Sequence, residues 1–346
     1  MQPNLQSQNP LAPKKSPKRG SAYWIVTIVV AIAVYLGLYY RQNIADYVVV
    51  QQFAPSQQLE AVLDKTYLSE TGKFYVYASQ TKIVDKAEFN HYCGSLQNEK
   101  SIVLGCYSPV TKQIAVYDVT DERLSGVREA TTAHEMLHAV WDRLSVGEQR
   151  RLTGLLNAEA TKVNDQRLRG LFEQYRQSDP SSMPTELHSI IGTEVAEVSP
   201  ELEAHYDKYF SDRKALVAET KRYESVFVDI ETRQTTLVSE LDSLAASLNI
   251  RSRDYEKQLG SLNREVDSFN SWAESGYASA SEFERRRSSL MVKIDNLEAD
   301  RIGINNDVER YNQLSNELES LNMLAQDLSR SLDSHIIQPI TDSPSL

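Results

Sequence analysis

The sequence contains little of what marks several common classes of protein. Its 346 residues include only two cysteines, which is too few for a disulfide-rich scaffold. The net charge is −11, and a nucleic-acid partner is not expected because phosphate binding needs a basic surface. Hydrophobic runs are scarce as well, and only one of them is long. The chain is nevertheless long enough for a globular domain with further elements attached.

The one long hydrophobic run covers residues 22–40 and predicts a transmembrane helix. At about 1.5 Å per residue, such a helix extends roughly 28 Å, close to the thickness of a hydrocarbon core. Basic residues precede the run and only Arg41 follows it closely, so the positive-inside rule places residues 1–21, a polar and disordered tail, in the cytoplasm. The body of the protein is then extracytoplasmic. A cleavable signal peptide is the alternative, but its small-residue site, 31–33, falls in the middle of the run.

Residues 41–210 have the pattern of a small folded domain. Segments rich in β-branched and aromatic residues predict strands at 74–78, 101–107 and 113–119. Segments with helical periodicity follow at 128–144, 148–163, 165–177 and 185–198. This order predicts an α+β fold in which a small antiparallel sheet precedes a group of helices.

Residues 211–335 predict a coiled coil. Hydrophobic residues recur at heptad spacing over 237–269 and again over 290–321. A turn signal at 274–279 separates the two runs and favours a long antiparallel hairpin within one chain. Pairing between two chains is the alternative, and the sequence leaves it open. Two prolines mark residues 336–346 as a tail beyond the last helix.

An H-E-x-x-H motif lies in the segment predicted to be helical at 128–144, as His134, Glu135 and His138. Residues four apart lie on one face of a helix, so two imidazoles at this spacing can bind one zinc ion. The glutamate then lies beside a metal-bound water, where it can act as a general base. A pair of histidines that only form internal hydrogen bonds is the alternative.

A catalytic zinc site needs a third protein ligand and an open position for water. The segment 186–194 supplies the candidates: Glu186 is the first choice, Glu194 the second and His188 the third. The two glutamates are eight residues apart and can face the site from successive helical turns. One of them can bind the metal while the other orients a histidine. A solvated surface glutamate is the alternative for either.

The two cysteines, Cys93 and Cys106, lie close together in the sequence. In an oxidising extracytoplasmic compartment they can form a disulfide. Two separate buried thiols are the alternative, and the sequence does not choose between them.

The motif helix, the sheet before it and the glutamate on a later helix resemble the gluzincin class of zinc metallopeptidases over residues 70–210. The resemblance implies a zincin-like domain in which His134, His138 and Glu186 bind Zn²⁺. It also implies that Glu135 moves the proton of the attacking water.

Two further roles follow from the same resemblance. The strand at 113–119 is implied to be the edge of the cleft, where an extended peptide adds to the sheet. A histidine or tyrosine is implied to stabilise the oxyanion, and the candidates are His188, His205 and Tyr206.

The sequence therefore predicts a membrane-tethered zinc metallopeptidase at the cell membrane, with its catalytic domain on the extracytoplasmic side. The expected partners are a peptide or protein substrate, the membrane and, through the coiled coil, a partner protein or a second copy. The alternative is an envelope structural or interaction protein whose coiled coil is the functional part and whose metal site is inactive. The glutamate of the motif, Glu135, favours the enzyme, because a structural zinc site does not need it.

Overall fold

The computed structural model describes residues 19–94, 103–276 and 279–334, with side chains from residue 24 onward. The predictions for most of the N-terminal tail, for residues 101–102 and for the tail at 336–346 lie outside the described residues. The described chain is mostly helical, with one sheet of three short strands. The predicted α+β class with an antiparallel sheet is therefore wrong, because helices form the core and the small sheet is mixed.

Three helices begin the described chain: α1 (Arg19–Tyr39), α2 (Arg41–Gln52) and α3 (Gln57–Leu63). Apolar side chains of α1 are exposed from Trp24 onward. Nowhere in the described ranges is one helix both long and apolar enough to cross a membrane, although α1 and α2 meet the requirement together as a pair bent by 63°. The predicted single transmembrane helix at 22–40 is therefore wrong over the residues described, where the apolar segment Trp24–Tyr39 meets the requirement only together with α2, across the bend.

Helix α4 (Glu70–Ala78) covers the segment at 74–78 that is predicted to be a strand. Ser69 caps this helix by accepting a hydrogen bond from the backbone N–H of Gly72. Gly72 and Val76 are buried at helical spacing, while the aromatic residues between and beside them are half-buried. The strand prediction is wrong because alternating Phe, Tyr and Val residues imitate a period of two, whereas the burial follows the helical repeat.

The sheet consists of β1 (Lys82–Val84), β2 (Gly105–Tyr107) and β3 (Ile114–Tyr117). The order is β1-β3-β2, in which β1 runs parallel to the central strand β3 and β2 runs antiparallel to it. The strands predicted at 101–107 and 113–119 are present but shorter, and β1 is an addition that the sequence analysis did not predict.

Helix α5 (Lys86–Cys93) follows β1 and lies against the sheet. A disulfide between Cys93 and Cys106 joins the end of α5 to β2. The sequence leaves open whether the two cysteines form a disulfide or remain separate thiols, and in the structure they form the disulfide. Its effect is to attach the short strand β2 covalently to the helix that packs on the sheet.

Five helices build the core: α6 (Val127–Arg143), α7 (Val146–Ala160), α8 (Gln166–Ser178), α9 (Met183–Glu194) and α10 (Pro200–Tyr206). The helices predicted between 128 and 198 are confirmed, although α9 ends earlier than predicted, at Glu194. Helices α6 and α9 lie against each other, and Leu137, Ile190 and Ile191 are completely buried in the same cluster. The motif helix and the helix with the candidate third ligand are therefore neighbours.

The two long helices α11 (Arg213–Glu274) and α12 (Ala280–Leu332) pack against each other. Ion pairs join Arg233 to Glu317 and Arg251 to Asp307, so residues that are earlier in α11 meet residues that are later in α12. The two helices thus form an antiparallel pair within the chain. Residues 277–278 of the predicted turn lie outside the described residues.

The first turns of α11, residues 213–224, are called the root of the hairpin below. Arg213 is 2% exposed and donates hydrogen bonds to the carbonyl oxygens of Val195 and Ala196 at 2.6 and 2.9 Å. At the same end of the hairpin, Leu328 and Leu332 near the end of α12 are buried against Val119 and Leu124, which precede α6. The root is therefore part of the same folded body as the motif helix.

Candidate metal centre

The two histidines of the motif lie side by side on α6. Their Nε2 atoms are 3.1 Å apart, and both imidazoles are mostly buried. The helical spacing of four residues brings the rings together, as the sequence predicts. Neither ring is directed into the hydrophobic core, because the core-facing side of α6 is taken by Ala133, Leu137 and Val140.

Glu186 of α9 is the third member of the group. Its Oε1 lies 3.6 Å from Nε2 of His138 and its Oε2 lies 3.8 Å from Nε2 of His134. His134, His138 and Glu186 thus each offer one ligand atom within 4.8 Å of the others. These three side chains can hold a metal ion.

The spacing of the three ligand atoms can be compared with that of a tetrahedral zinc site. Ligands at about 2.1 Å from a tetrahedral ion are about 3.4 Å from one another. The two imidazole nitrogens are 3.1 Å apart, close to that value, and each carboxylate oxygen of Glu186 lies 3.6–3.8 Å from one of them. With one oxygen taken as the third ligand atom, the three atoms lie within 4.8 Å of one another. Two imidazoles and one carboxylate are also a common donor set of catalytic zinc sites, so the residues fit this ion.

Thr185, the neighbour of Glu186, fixes the orientation of one histidine. Its hydroxyl is 2.9 Å from Nδ1 of His138. With Nδ1 hydrogen-bonded in this way, Nε2 of the same ring is the nitrogen directed at the carboxylate. A hydrogen bond of this kind holds a metal-binding histidine in its productive orientation.

Burial keeps both histidines neutral. It lowers the pKa of His134 to about 4, and it also lowers the pKa of His138, with smaller contributions from the neighbouring His134 and His188. A neutral imidazole has the lone pair that metal binding requires. Both rings are thus in the ligating form at neutral pH without prior loss of a proton.

Glu135 lies on α6 between the two histidines and faces strand β2. A Cβ atom placed on Gly105 of β2 would lie 2.7 Å from Cγ and 2.8 Å from Oε1 of Glu135, and 2.6 Å from Cγ2 of Thr131. The backbone of β2 therefore lies so close to α6 that residue 105 has no room for a side chain, and only glycine fits there. The close contact places the carboxylate of Glu135 directly beside the strand.

Strand β2, and not β3, is the edge of the sheet next to α6. Tyr117 donates its N–H to the carbonyl oxygen of Leu104, and Ser108 donates to that of Gln113. Because bonded pairs alternate in an antiparallel ladder, Gly105 directs its backbone groups away from β3. The prediction that the strand at 113–119 forms the cleft edge is therefore wrong, since β1 and β2 cover both of its sides.

A cleft of about 1380 Å³ runs along α6 from Ala130 to Asp142 and contains the three candidate ligands and Glu135. Strand β2 forms one wall, and α8 forms the other with residues that include Tyr175. The root of the hairpin contributes Thr220 and Tyr223. The sequence does not predict that Tyr175, Thr220 and Tyr223 line the cleft, because their positions depend on how distant helices pack.

The three residues proposed from the sequence to stabilise an oxyanion, His188, His205 and Tyr206, do not line this cleft. They form a buried cluster in which Nε2 of His188 is 2.8 Å from Nε2 of His205, and the hydroxyl of Tyr206 donates to the carbonyl oxygen of His188 at 2.8 Å. At exposures of 0–2% they are packing residues of the core. His188 is therefore not placed with the ligand group either.

Glu194, the second choice for the third ligand, lies at the end of α9 away from the histidines. It forms an ion pair with Arg167 at 2.5 Å and lines the cleft near the root of the hairpin. Among the residues described, the group that can hold a metal contains Glu186 and not Glu194.

Comparisons of the chain with models of protein families, with curated proteins and with solved structures found no match.

Proposed function

We propose that the protein is a zinc metallopeptidase that hydrolyses peptide bonds in extended polypeptides. The observation that carries the proposal is the convergence of two imidazoles and one carboxylate beside a second carboxylate, Glu135, in a cleft bordered by β2, an edge strand of the sheet that the described residues form. When bound, a zinc ion would supply a Lewis acid and lower the pKa of a coordinated water. The gluzincin resemblance of the motif supports the same function.

In this proposal Glu135 is the general base and then the general acid. Its carboxylate accepts a proton from the attacking water and delivers it to the nitrogen of the leaving amine. Its position on α6, one residue after His134, keeps it beside the ligand group, and the close approach of Gly105 restricts where its side chain can go. A restricted carboxylate needs little rearrangement before each proton transfer.

The substrate is proposed to bind as an additional strand along β2. Gly105 and Tyr107 direct backbone groups toward the open edge, and an extended peptide can satisfy them. The section of α6 under the cleft, from Ala130 to Asp142, is about 18 Å long. That length accommodates about five residues of an extended chain.

Tyr175 is proposed as the donor that stabilises the negative charge on the substrate carbonyl oxygen. It lines the cleft from α8, and its phenol is a hydrogen-bond donor of the kind that can stabilise an oxyanion. It takes the role that the sequence assigns to His188, His205 or Tyr206.

An extracytoplasmic location is proposed for the catalytic domain. The support is the disulfide between Cys93 and Cys106, because such bonds persist mainly in oxidising compartments. Alkylation of free thiols in cells, with and without prior reduction, tests it. A thiol pair that is alkylated without reduction would place the domain in a reducing compartment.

The activity is tested by incubating the purified protein with casein, with and without added zinc, and comparing it with Glu135→Gln. We expect zinc-dependent hydrolysis by the native chain and a loss of at least about 100-fold in the variant, because the base is removed while the ligands remain. Glu201→Gln, an exposed glutamate on α10, is the matched control and should keep full activity.

A second candidate function is a scaffold in which the hairpin binds a partner. The observation that favours it is the set of exposed apolar residues on the two long helices, which includes Val228, Ile250, Val292 and Met323. The same experiment separates the two functions. Zinc bound by both the native chain and Glu135→Gln, with hydrolysis by neither, would favour the scaffold.

A further inference from the structure

The cleft has an unusual balance of charge. Beyond the ligand group and Glu135, it is lined by Asp142, Glu173, Asp179 and Glu194, and by no lysine or arginine among the residues that the structure describes. Cations outside the lining compensate some of these acids. Lys112, Arg176 and Arg167 pair with Asp142, Glu173 and Glu194 in this way. The charged side chains that line the cleft are nevertheless all acidic, apart from the histidines.

The end of the cleft at the root of the hairpin has the chemistry of a side-chain subsite. Thr193 and Glu194 of α9 face Thr220 and Tyr223 of α11 there. The lining thus combines an aromatic ring with a carboxylate. A long aliphatic side chain with a cationic head can use both, since its methylene groups pack on the ring while its charge meets the carboxylate.

The carboxylates at this end outnumber the cations that pair with them. Arg167 of α8 lies 2.5 Å from Glu194 and 2.7 Å from Glu224, so one guanidinium serves two acids. Burial, together with the charge of Glu194, raises the pKa of Glu224 to about 7. The cluster thus keeps a proton near neutral pH because it lacks a second positive charge.

We propose that this end of the cleft, formed by Glu194, Thr220 and Tyr223, binds the side chain of a lysine or arginine of the substrate. The cationic head supplies the positive charge that the pair of carboxylates lacks. This inference rests on the proposed peptidase function, whose cleft it describes more closely.

The subsite is tested with pairs of fluorogenic peptides that differ only in one residue, lysine in one and norleucine in the other, placed in turn at each position around the cleaved bond. At one position we expect the native chain to prefer lysine by at least about tenfold in kcat/KM. The double variant Glu194→Gln/Glu224→Gln should reduce that ratio to about one, while Glu201→Gln keeps it. Equal cleavage of both peptides at every position would overturn the subsite and leave the peptidase standing.

A binding measurement keeps the inference testable if no hydrolysis occurs. Glu135→Gln is titrated with the same labelled peptides, and binding is followed by fluorescence anisotropy at low and at high salt. We expect tighter binding of the lysine peptide, with a difference that shrinks as salt is added. Selective binding without cleavage by the native chain would support the subsite and reject the peptidase, whereas binding without preference would reject the subsite.

The double variant is also checked for correct folding. Its zinc content and its circular dichroism spectrum should match those of the native chain. If they do not, Tyr223→Leu replaces it, because this change removes the aromatic wall without altering the charges. An unchanged lysine preference in Tyr223→Leu and in a folded double variant would overturn the proposal.

Discussion

At the residue scale, the metal centre depends on two adjacent residues of α9 that act on two histidines of α6. Glu186 offers the third ligand atom, and Thr185 holds Nδ1 of His138 at 2.9 Å. The sequence predicts the two histidines because their spacing is local. It offers Glu186 only as the first of three candidates, because the distance between two helices depends on the tertiary structure.

Replacing Thr185 with valine is expected to weaken zinc binding about 10- to 100-fold without unfolding the protein. The change removes the hydroxyl that orients His138 and conserves the volume of the side chain. Competition with a fluorescent zinc chelator measures the affinity. Thr185→Ser keeps the hydroxyl and serves as control. Equal affinities of the valine and serine variants would contradict this role of Thr185.

Gly105 is expected to tolerate no side chain. In Gly105→Ala the new methyl group meets Glu135 at 2.7–2.8 Å, so either β2 or the carboxylate must move and peptide hydrolysis should fall at least about tenfold. Gly154→Ala is the control, since no atom lies within 4 Å of its added carbon and alanine stabilises a helix by about 0.5–1 kcal/mol. Activity assays and urea denaturation compare the two. Full activity in Gly105→Ala would show that the contact does not constrain Glu135.

Glu224 is expected to make stability fall as the pH rises. Its pKa is raised from 4.5 to about 7 in the folded protein, by burial and by Glu194. Its contribution is therefore complete below about pH 4.5, where both states are protonated, and is lost as the pH rises through about 7.

Denaturation with urea at a series of pH values measures this contribution. The native chain should lose on the order of 2–3 kcal/mol of unfolding free energy, relative to Glu224→Gln, between about pH 4.5 and about pH 7. Arg167 and Asp165 face the same carboxyl and are present in both proteins, so the comparison isolates Glu224. If the difference in unfolding free energy between the two proteins does not change with pH, the pKa of Glu224 is not raised.

At the element scale, the sequence predicts the long helices better than the short elements. Helices α7 and α8 begin at the capping residues Ser145 and Asp165, and α6 has a regular apolar stripe, so the local sequence is enough to predict them. Helix α4 is mistaken for a strand because its aromatic residues alternate. The three-residue strand β1 has too little sequence for a pattern, yet its pairing with β3 leaves β2 as the open edge. The sequence therefore cannot predict which strand borders the cleft, because that depends on a parallel pairing between distant segments.

Helix α2 is expected to stabilise the end of the motif helix. Asp46 of α2 accepts hydrogen bonds from Nε and a terminal nitrogen of Arg143 at 2.8 and 3.0 Å, and both side chains are 5–6% exposed. Asp46→Ala leaves a buried guanidinium without its carboxylate and should cost about 3–5 kcal/mol.

Urea denaturation checks this cost, with the exposed Asp64 changed to alanine as the control. The control should lose less than about 1 kcal/mol. Since Asp142, beside Arg143, lines the cleft, Asp46→Ala should also lower activity. Equal stability of the two variants would show that α2 does not support α6.

At the scale of the whole molecule, the hairpin and the cleft belong to one folded body. Arg213 is buried against α9, and Thr220 and Tyr223 line the cleft. The outer parts of α11 and α12, by contrast, contact mainly each other. The sequence predicts the pair of long helices from its heptads, but not the buried root, because heptad spacing carries no information about what lies beside the first turns.

Shortening the hairpin is expected to have opposite effects at its two ends. A chain that lacks residues 246–310, rejoined by a short glycine-serine turn, keeps the root and should retain zinc binding and hydrolysis of casein. A chain that ends at residue 210 loses Arg213 and the wall of the cleft, and should not fold. Circular dichroism and zinc content distinguish them, and a folded, zinc-binding chain of residues 1–210 would show that the root is dispensable.

Metal analysis of the dialysed protein and its variants measures which side chains bind zinc. We expect about one zinc ion per chain in the native protein, in Glu135→Gln and in Glu194→Ala, and none in His134→Ala, His138→Ala or Glu186→Ala, provided that all variants are folded. Zinc that is retained in the last three variants, or lost in Glu194→Ala instead of Glu186→Ala, would contradict the assignment of the metal centre.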